Sequence, residues 1–365
     1  MGAPLKADPG AVPSVPAGSD EGRLVRAGGN GGVSRLRIAL LILLPSALLF
    51  VSLFVGRYPM SPLTCAKVLL APVIPIEHTW DPTLDSVIWD IRVWRALLAM
   101  MIGAGLSISG ASFQGMFQNP LVSPDILGVS AAAGFGACVA ILLSGSEGTI
   151  QASAFLFGLI GVAATYLLGR VYRTAPVLML VLSGIICGSV FSAFISITKI
   201  VADPLSRLPA ITFWLMGSLS SVSSSDVLTT GPPIIAGSAG LVLLSWRINL
   251  LSMGDEEARS LGARTELLKA AIIVCCTIIT ASAVCVAGIV GWVGLVIPHI
   301  GRMVVGPNHR ALLPASMAIG AAYLLLIDNL ARTAAPIEIP LGILTAIIGA
   351  PFFGYLLRKT KGAWK

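Results

Sequence analysis

Hydrophobic residues along this chain do not alternate with polar ones. They run together in blocks of about twenty, the length a helix needs to cross a hydrocarbon core of about 30 Å, parted by short stretches rich in Gly, Pro and charge. Ten membrane spans are predicted, near 36–56, 93–115, 125–144, 150–169, 174–198, 228–246, 268–291, 294–306, 313–331 and 340–357. The eighth is too short to cross alone, but its place puts 302–310 and 328–338 on opposite sides, and its neighbours must cover it. A β-barrel would need alternating segments of about ten residues, which the sequence lacks. The pattern therefore predicts an all-α polytopic membrane protein with ten spans.

Residues 1–34 break the pattern. They are rich in Gly, Pro and Ala without apolar periodicity, and are expected to form a disordered tail ahead of a ten-helix domain at 35–365. The apolar run after Arg37 is as long as a full span, and the "GRYPMSP" after it has no small-residue cleavage pattern. A retained first span fits better than a signal peptide.

Composition sharpens this picture. Of 365 residues, 56% are hydrophobic and only 11% charged, with a mean hydropathy of +0.90, so a soluble fold would leave too much apolar surface in water. Orientation follows from Lys and Arg. If the amino terminus is cytoplasmic, the inside segments 1–37, 170–173, 247–269, 302–310 and 358–365 hold 17 of the 24. Both termini are then expected inside. That bias and anionic headgroups account for the net charge of +7 without nucleic acid. Six cysteines without a CxxC pattern read as small buried hydrophobes, and three scattered histidines do not make a metal cluster. No Walker A sequence occurs. Nor does a convergent set of nucleophile, base and acid that would favour a membrane enzyme.

Against so apolar a background, "MGDEEARSLGARTELLK" (253–269) stands out with seven charged residues. Gly254 can end one element, the acids at 255–257 suit a helix N-terminus, and Gly262 can stop the short helix that follows. A turn and a second short helix would lead into the seventh span. A solvated loop and a docking knob for a partner remain equally open on composition, although Ala258, Leu261, Ala263 and Leu267 supply apolar positions that a solvated loop does not require.

Two further stretches interrupt apolar runs with Gly and Pro: "GASFQGMFQNPLVSPDILGVSAAAGFGA" (110–137) and "GIVGWVGLVIPHIGRMVVGPNHRALLP" (288–314). Broken helices at membrane depth survive only where protein or a water-lined cavity satisfies their backbone. One such break in each half is the mark of inverted-repeat transporters.

Together with "GDEEARSLGA" and "IPLGILTAIIGAPFFGYLL", these motifs closely resemble the FecCD-type permeases, over roughly residues 36–360 and in the same order and spacing. That family comprises the membrane subunits of ABC importers for iron–siderophore complexes, haem and cobalamin. The resemblance implies a BtuC-like, type II importer fold in a bacterial inner membrane. It further implies a second permease copy as homodimer partner, two copies of an ABC ATPase subunit on the cytoplasmic side and a periplasmic substrate-binding protein. It places ATP and Mg in the partner ATPase and no cofactor in this chain. By resemblance, segment 249–269 is the part that couples to the ATPase, through Gly254, Glu257, Ala258, Arg259, Leu261 and Gly262.

Arg92, Arg95 and Arg332 match family positions that meet acidic residues of the binding protein. Headgroup anchoring is the alternative for them. The break motifs carry over Gln114, Asn119, Pro120, Pro124, Gly128, Pro298, His299 and Arg302 as pathway or helix-end residues. Trp292, where the family more often has Phe, is a mild departure. Asp328 reads as an i,i+4 partner of Arg332 in preference to a proton relay of a gradient-driven transporter. "ADPLSRLPAITFWLMGSLSS" (202–221) is expected as an outer connector with a short surface helix, Phe213 and Trp214 lying at the interface or mouth. Its longer wording is found in only some branches, among them oxyanion importers. A metal chelate is the leading cargo, with an oxyanion such as molybdate as the alternative.

Overall fold

Apolar runs without strand-like alternation become helices throughout the computed structural model, which describes residues 35–143, 145–170 and 176–359. The tail expected at 1–34 lies outside the described residues. In chain order the helices are α1 (Arg35–Phe54), α2 (Pro62–Leu70), α3 (Val93–Met116), α4 (Val129–Leu143), α5 (Glu147–Gly169), α6 (Val177–Val201), α7 (Arg207–Met216), α8 (Ser224–Leu251), α9 (Asp255–Ser260), α10 (Thr265–Ala287), α11 (Val293–Val305), α12 (His309–Thr333) and α13 (Leu341–Lys359). Helices α1, α3, α5, α6, α8, α10 and α12 are long and apolar enough to span a membrane, while α4, α11 and α13 are shorter apolar helices. Each matches one of the ten predicted blocks.

Differences from expectation lie at element ends. α3 is entered through Thr83–Ser86 and a π-helical stretch, Val87–Arg92, so the continuous helix runs Thr83–Met116. Asp85, Asp90 and Arg92 interrupt the apolar run there and hide the extra turns from the sequence. The third block begins later than predicted, because Pro124–Leu127 is a separate 3-10 turn. α2 has no counterpart in the sequence reading. α7 is the expected surface helix.

α3 is the core: α8, α10, α11 and α12 all pack on it, and its Ile102, Ile108, Phe113 and Met116 are fully buried. Between helices in lipid, dispersion contacts and not water exclusion hold neighbours together, so small residues that let backbones approach are favoured. Gly103 faces the Gly320 carbonyl, and Gly110 faces that of Gly294. A Cβ added to Gly110 would overlap the Gly294 carbonyl oxygen. Gly110→Val is therefore expected to force α3 and α11 apart at a cost of about 1–3 kcal/mol, seen as a lower Tm of the purified protein. An unchanged Tm would mean that the crossing is looser than described.

The bundle has two chemically distinct ends. At one, α1 and α12 finish and α3 begins among arginines. At the other, α8 finishes, α12 begins and α9 projects.

Candidate functional site

At the second end, α9 is a six-residue helix held between two glycines in the left-handed region, Gly254 (φ 128°) and Gly262 (φ 81°). Side chains with a Cβ rarely adopt these angles, so the two glycines fix where the helix starts and stops. Asp255, Glu256 and Glu257 occupy its first turn and Arg259 its last, each sign where the helix dipole favours it. The expected helix and turn form, but no separate second helix does, because α10 begins at Thr265 and continues directly into its span.

Ion pairs brace this knob from within. Lys269 is buried in the first turns of α10, where it pairs with Asp255 and, at 3.6 Å, with Glu266. The Arg259 guanidinium donates to Thr265 Oγ1 at 3.0 Å and pairs with Glu266 at 3.2 Å. Ala258 is buried underneath. Turned outward are two apolar side chains, Met253 (60% exposed) and Leu261 (60%), with Glu256 and Glu257 beside them. The protrusion is a short helix braced by ion pairs, with apolar side chains left exposed at its tips.

The knob connects to both helix breaks through two glutamines of the α3 end. Gln118, with a positive φ of 52°, donates to the Leu251 carbonyl at 3.0 Å, three residues before Gly254. Gln114 is buried where the breaks meet. Its amide donates to Val122 O in the first break (3.1 Å) and lies within reach of Gly294 O and Leu295 O at the second (3.4 and 3.3 Å), while its oxygen accepts from Arg302. Backbone left unpaired by the interruptions is thus satisfied by protein, as membrane depth demands.

The other motif residues build the same junction. Asn119 Oδ1 accepts from Leu121 N at 2.9 Å, shaping the turn around Pro120. Pro124 opens the 3-10 turn behind Ser123 and packs on Gly294, and Gly128 ends it against Gly188. Trp292, at φ 69°, starts α11, and Pro298 is buried within that helix. His299 is half-buried on α11, with no part in the glutamine network.

At the first end, the structure corrects the reading of Arg92, Arg95 and Arg332 as surface groups. All three are buried. Arg95 grips both oxygens of Asp328 at 2.9–3.2 Å and both oxygens of Glu338 at 2.9–3.0 Å. Arg92 donates to the carbonyls of Leu53 (2.8 Å) and Tyr58 (2.7 Å), and Arg332 to Ser52 O (2.9 Å), Ser52 Oγ (2.7 Å) and Asn329. A guanidinium near lipid is stabilised by such partners far better than by a headgroup several ångströms away. Asp328, 0% exposed, makes the expected i,i+4 pair with Arg332 at 3.4 Å. Held by two arginines, it has no free carboxyl oxygen to relay protons.

Glu338 lies in the connection before α13 and closes this cluster. Burial raises its carboxyl, but the hydrogen bonds and charge of Arg95 outweigh burial and hold it below its ordinary value of 4.5. Stability from this contact is present above pH 4.5 and is lost as pH falls through the depressed value. Wild type should therefore lose Tm below pH 4.5 more steeply than Glu338→Gln, and parallel pH profiles would remove Glu338 from the clasp.

Sequence reasoning missed Lys269, Gln118 and Glu338. Lys269 had a visible signal, a cation at the mouth of an apolar run. Gln118 and Glu338 had none, since their roles depend on residues 133 and 243 positions away.

Comparison with known proteins places this geometry. Residues 41–359 match the family model described as the FecCD transport family. A molybdate import system permease, MolB of Haemophilus influenzae, is 42% identical over 85% of this chain and 92% of its own. A probable iron chelatin transport permease of Helicobacter pylori is 41% identical over 77% and 85%, and the cobalamin import permease BtuC of Halobacterium salinarum 39% over 79% and 78%. A solved metal-chelate type ABC transporter in an inward-facing conformation superposes with a TM-score of 0.79 at 39% identity, covering 89% of this chain and 99% of that one.

Proposed function

This chain belongs to the FecCD transport family, as a multi-span permease of an ABC importer, and from that premise we propose that α9 is where an ATPase partner grips it. The observation that carries the reading is the knob itself: internally paired charges, two left-handed glycines and apolar tips held outward. ATP and Mg belong to the partner, which closes on nucleotide and moves α9. Gln118 and Gln114 pass the displacement to the two breaks, where backbone can rearrange. The bias of Lys and Arg supports the knob end as cytoplasmic. A second copy of the permease forms the rest of the pathway. A substrate-binding protein docks at the opposite end, on loops whose shape the buried arginines fix.

The cargo we propose is a chelated metal, supported by relatives named for iron chelatin, cobalamin and hemin. One specific observation favours an oxyanion instead: the relative aligned over 92% of its length is named for molybdate. Vesicles holding the permease and ATPase, with the cognate binding protein outside, separate the two. ATP-dependent accumulation of labelled iron chelate supports the first reading, accumulation of labelled molybdate the second. Accumulation driven by an ion gradient without the ATPase would overturn both.

A further inference from the structure

Beneath the knob, between the end of α8 and the start of α10, runs a groove of about 720 Å³. Its mouth carries Arg247 and Arg264, and its walls include Leu244, Trp246, Leu267 and Ala271. Among the described residues, no carboxylate lines it. Asp255 and Glu266, the acids nearest in sequence, are taken by Lys269 and Arg259. No hydrogen bond or ion pair engages the guanidinium of Arg247 or Arg264 among the described residues, and both side chains are exposed. Two cations thus line an apolar trough with no counter-charge among the described residues.

Depth decides what fits. α8 has 28 residues, roughly 42 Å at 1.5 Å per residue, about 12 Å more than the hydrocarbon core requires. The excess is shared with the polar first turn at Ser224–Asp226, and the last turns carry Trp246 and Arg247, residue types favoured at headgroup level. Along their helices Leu244 lies about 4.5 Å beyond Arg247 and Ala271 about 10 Å beyond Arg264, toward the acyl chains. A soluble partner can cover the mouth but cannot follow the trough into the bilayer.

We propose that this groove seats one anionic phospholipid, its phosphate between Arg247 and Arg264 and an acyl chain along Leu244, Leu267 and Ala271. Bound there, the lipid wedges α8 against α10 directly under α9 and fixes the angle at which the knob stands out. The seat depends on the chain spanning a membrane, and its rim at Leu261 and Gly262 adjoins the face that α9 offers a partner.

The test is native mass spectrometry of the assembled complex, released from nanodiscs of phosphatidylethanolamine with or without phosphatidylglycerol. One retained phosphatidylglycerol per permease chain is expected. In Arg247→Gln/Arg264→Gln, retention should fall about thirtyfold, the ratio implied by roughly 1 kcal/mol per cation near an anionic surface. Leu244→Trp, which fills the apolar end and keeps both charges, should also displace the lipid, so the proposal does not hang on one variant. Inorganic phosphate should not compete. The proposal is overturned if both variants retain phosphatidylglycerol like wild type, if inorganic phosphate displaces it (a free-anion site), or if the permease alone holds it and assembly with a partner expels it (a protein seat).

Discussion

Replacing Asp328 with leucine is expected to cost about 3–5 kcal/mol, the usual consequence of removing one partner from a buried ion pair. The carboxylate is 0% exposed and is held by Arg95 through both oxygens and by Arg332 at 3.4 Å. Without it, Arg95 keeps only Glu338 and Arg332 keeps only the neutral partners Ser52 and Asn329, so their desolvation is no longer fully offset. The carboxylate ties α12 to α3, and the Arg332 bonds to Ser52 extend that tie to α1, so those helices should separate first. Adding Arg95→Met together with Glu338→Gln to Asp328→Leu should recover part of the stability, because the carboxylate that Arg95 also holds is then neutral. Thermal unfolding in mild detergent measures both. A single variant within about 0.5 kcal/mol of wild type, the range of ordinary surface changes, would mean that the cluster is already hydrated and contributes little.

The second large effect is functional. Met253→Asp with Leu261→Asp should leave the fold intact, since both side chains are mostly in solvent. In a docked complex, however, the same change places two carboxylates in an apolar contact. Loss of central interface anchors of this kind weakens association by about 2 kcal/mol or more, some thirtyfold. Gly262→Trp attacks the same face differently. No heavy atom lies within 4 Å of an added Cβ there, so the bulk projects outward, although the left-handed backbone adds strain. Both variants are expected to keep wild-type amounts of folded permease in the membrane and to lose ATP-driven uptake. Uptake at the wild-type rate in either would place the partner's grip elsewhere.

Much of the fold is legible in the sequence, because the physics of a bilayer is written in runs of residues. Ten apolar blocks become ten apolar helices, and Gly254 and Gly262 mark both ends of α9 because residues with a Cβ rarely tolerate those angles. The breaks are legible as Gly and Pro inside apolar runs. Other features depend on contacts across the fold. Arg92 and Arg95 look like surface anchors when read along the chain, because their partners lie on α1, α12 and the connections beside them. Gln114 stands in a motif, but its hold on two separate breaks requires α3 and α11 to cross at Gly110 and Gly294. The extra turns before α3 are hidden for a related reason: the charges that end the apolar run at Asp85 and Asp90 do not end the helix.

The central claim is that α9 is the handle of an ATP-driven importer. Native mass spectrometry of the tagged chain, purified gently from its own membrane beside the Met253→Asp/Leu261→Asp variant, tests it most directly. An ABC ATPase should accompany the wild type and be missing from the variant at equal permease recovery. An ATPase retained equally by both, or a wild type that emerges alone and still accumulates substrate on an ion gradient, would contradict it.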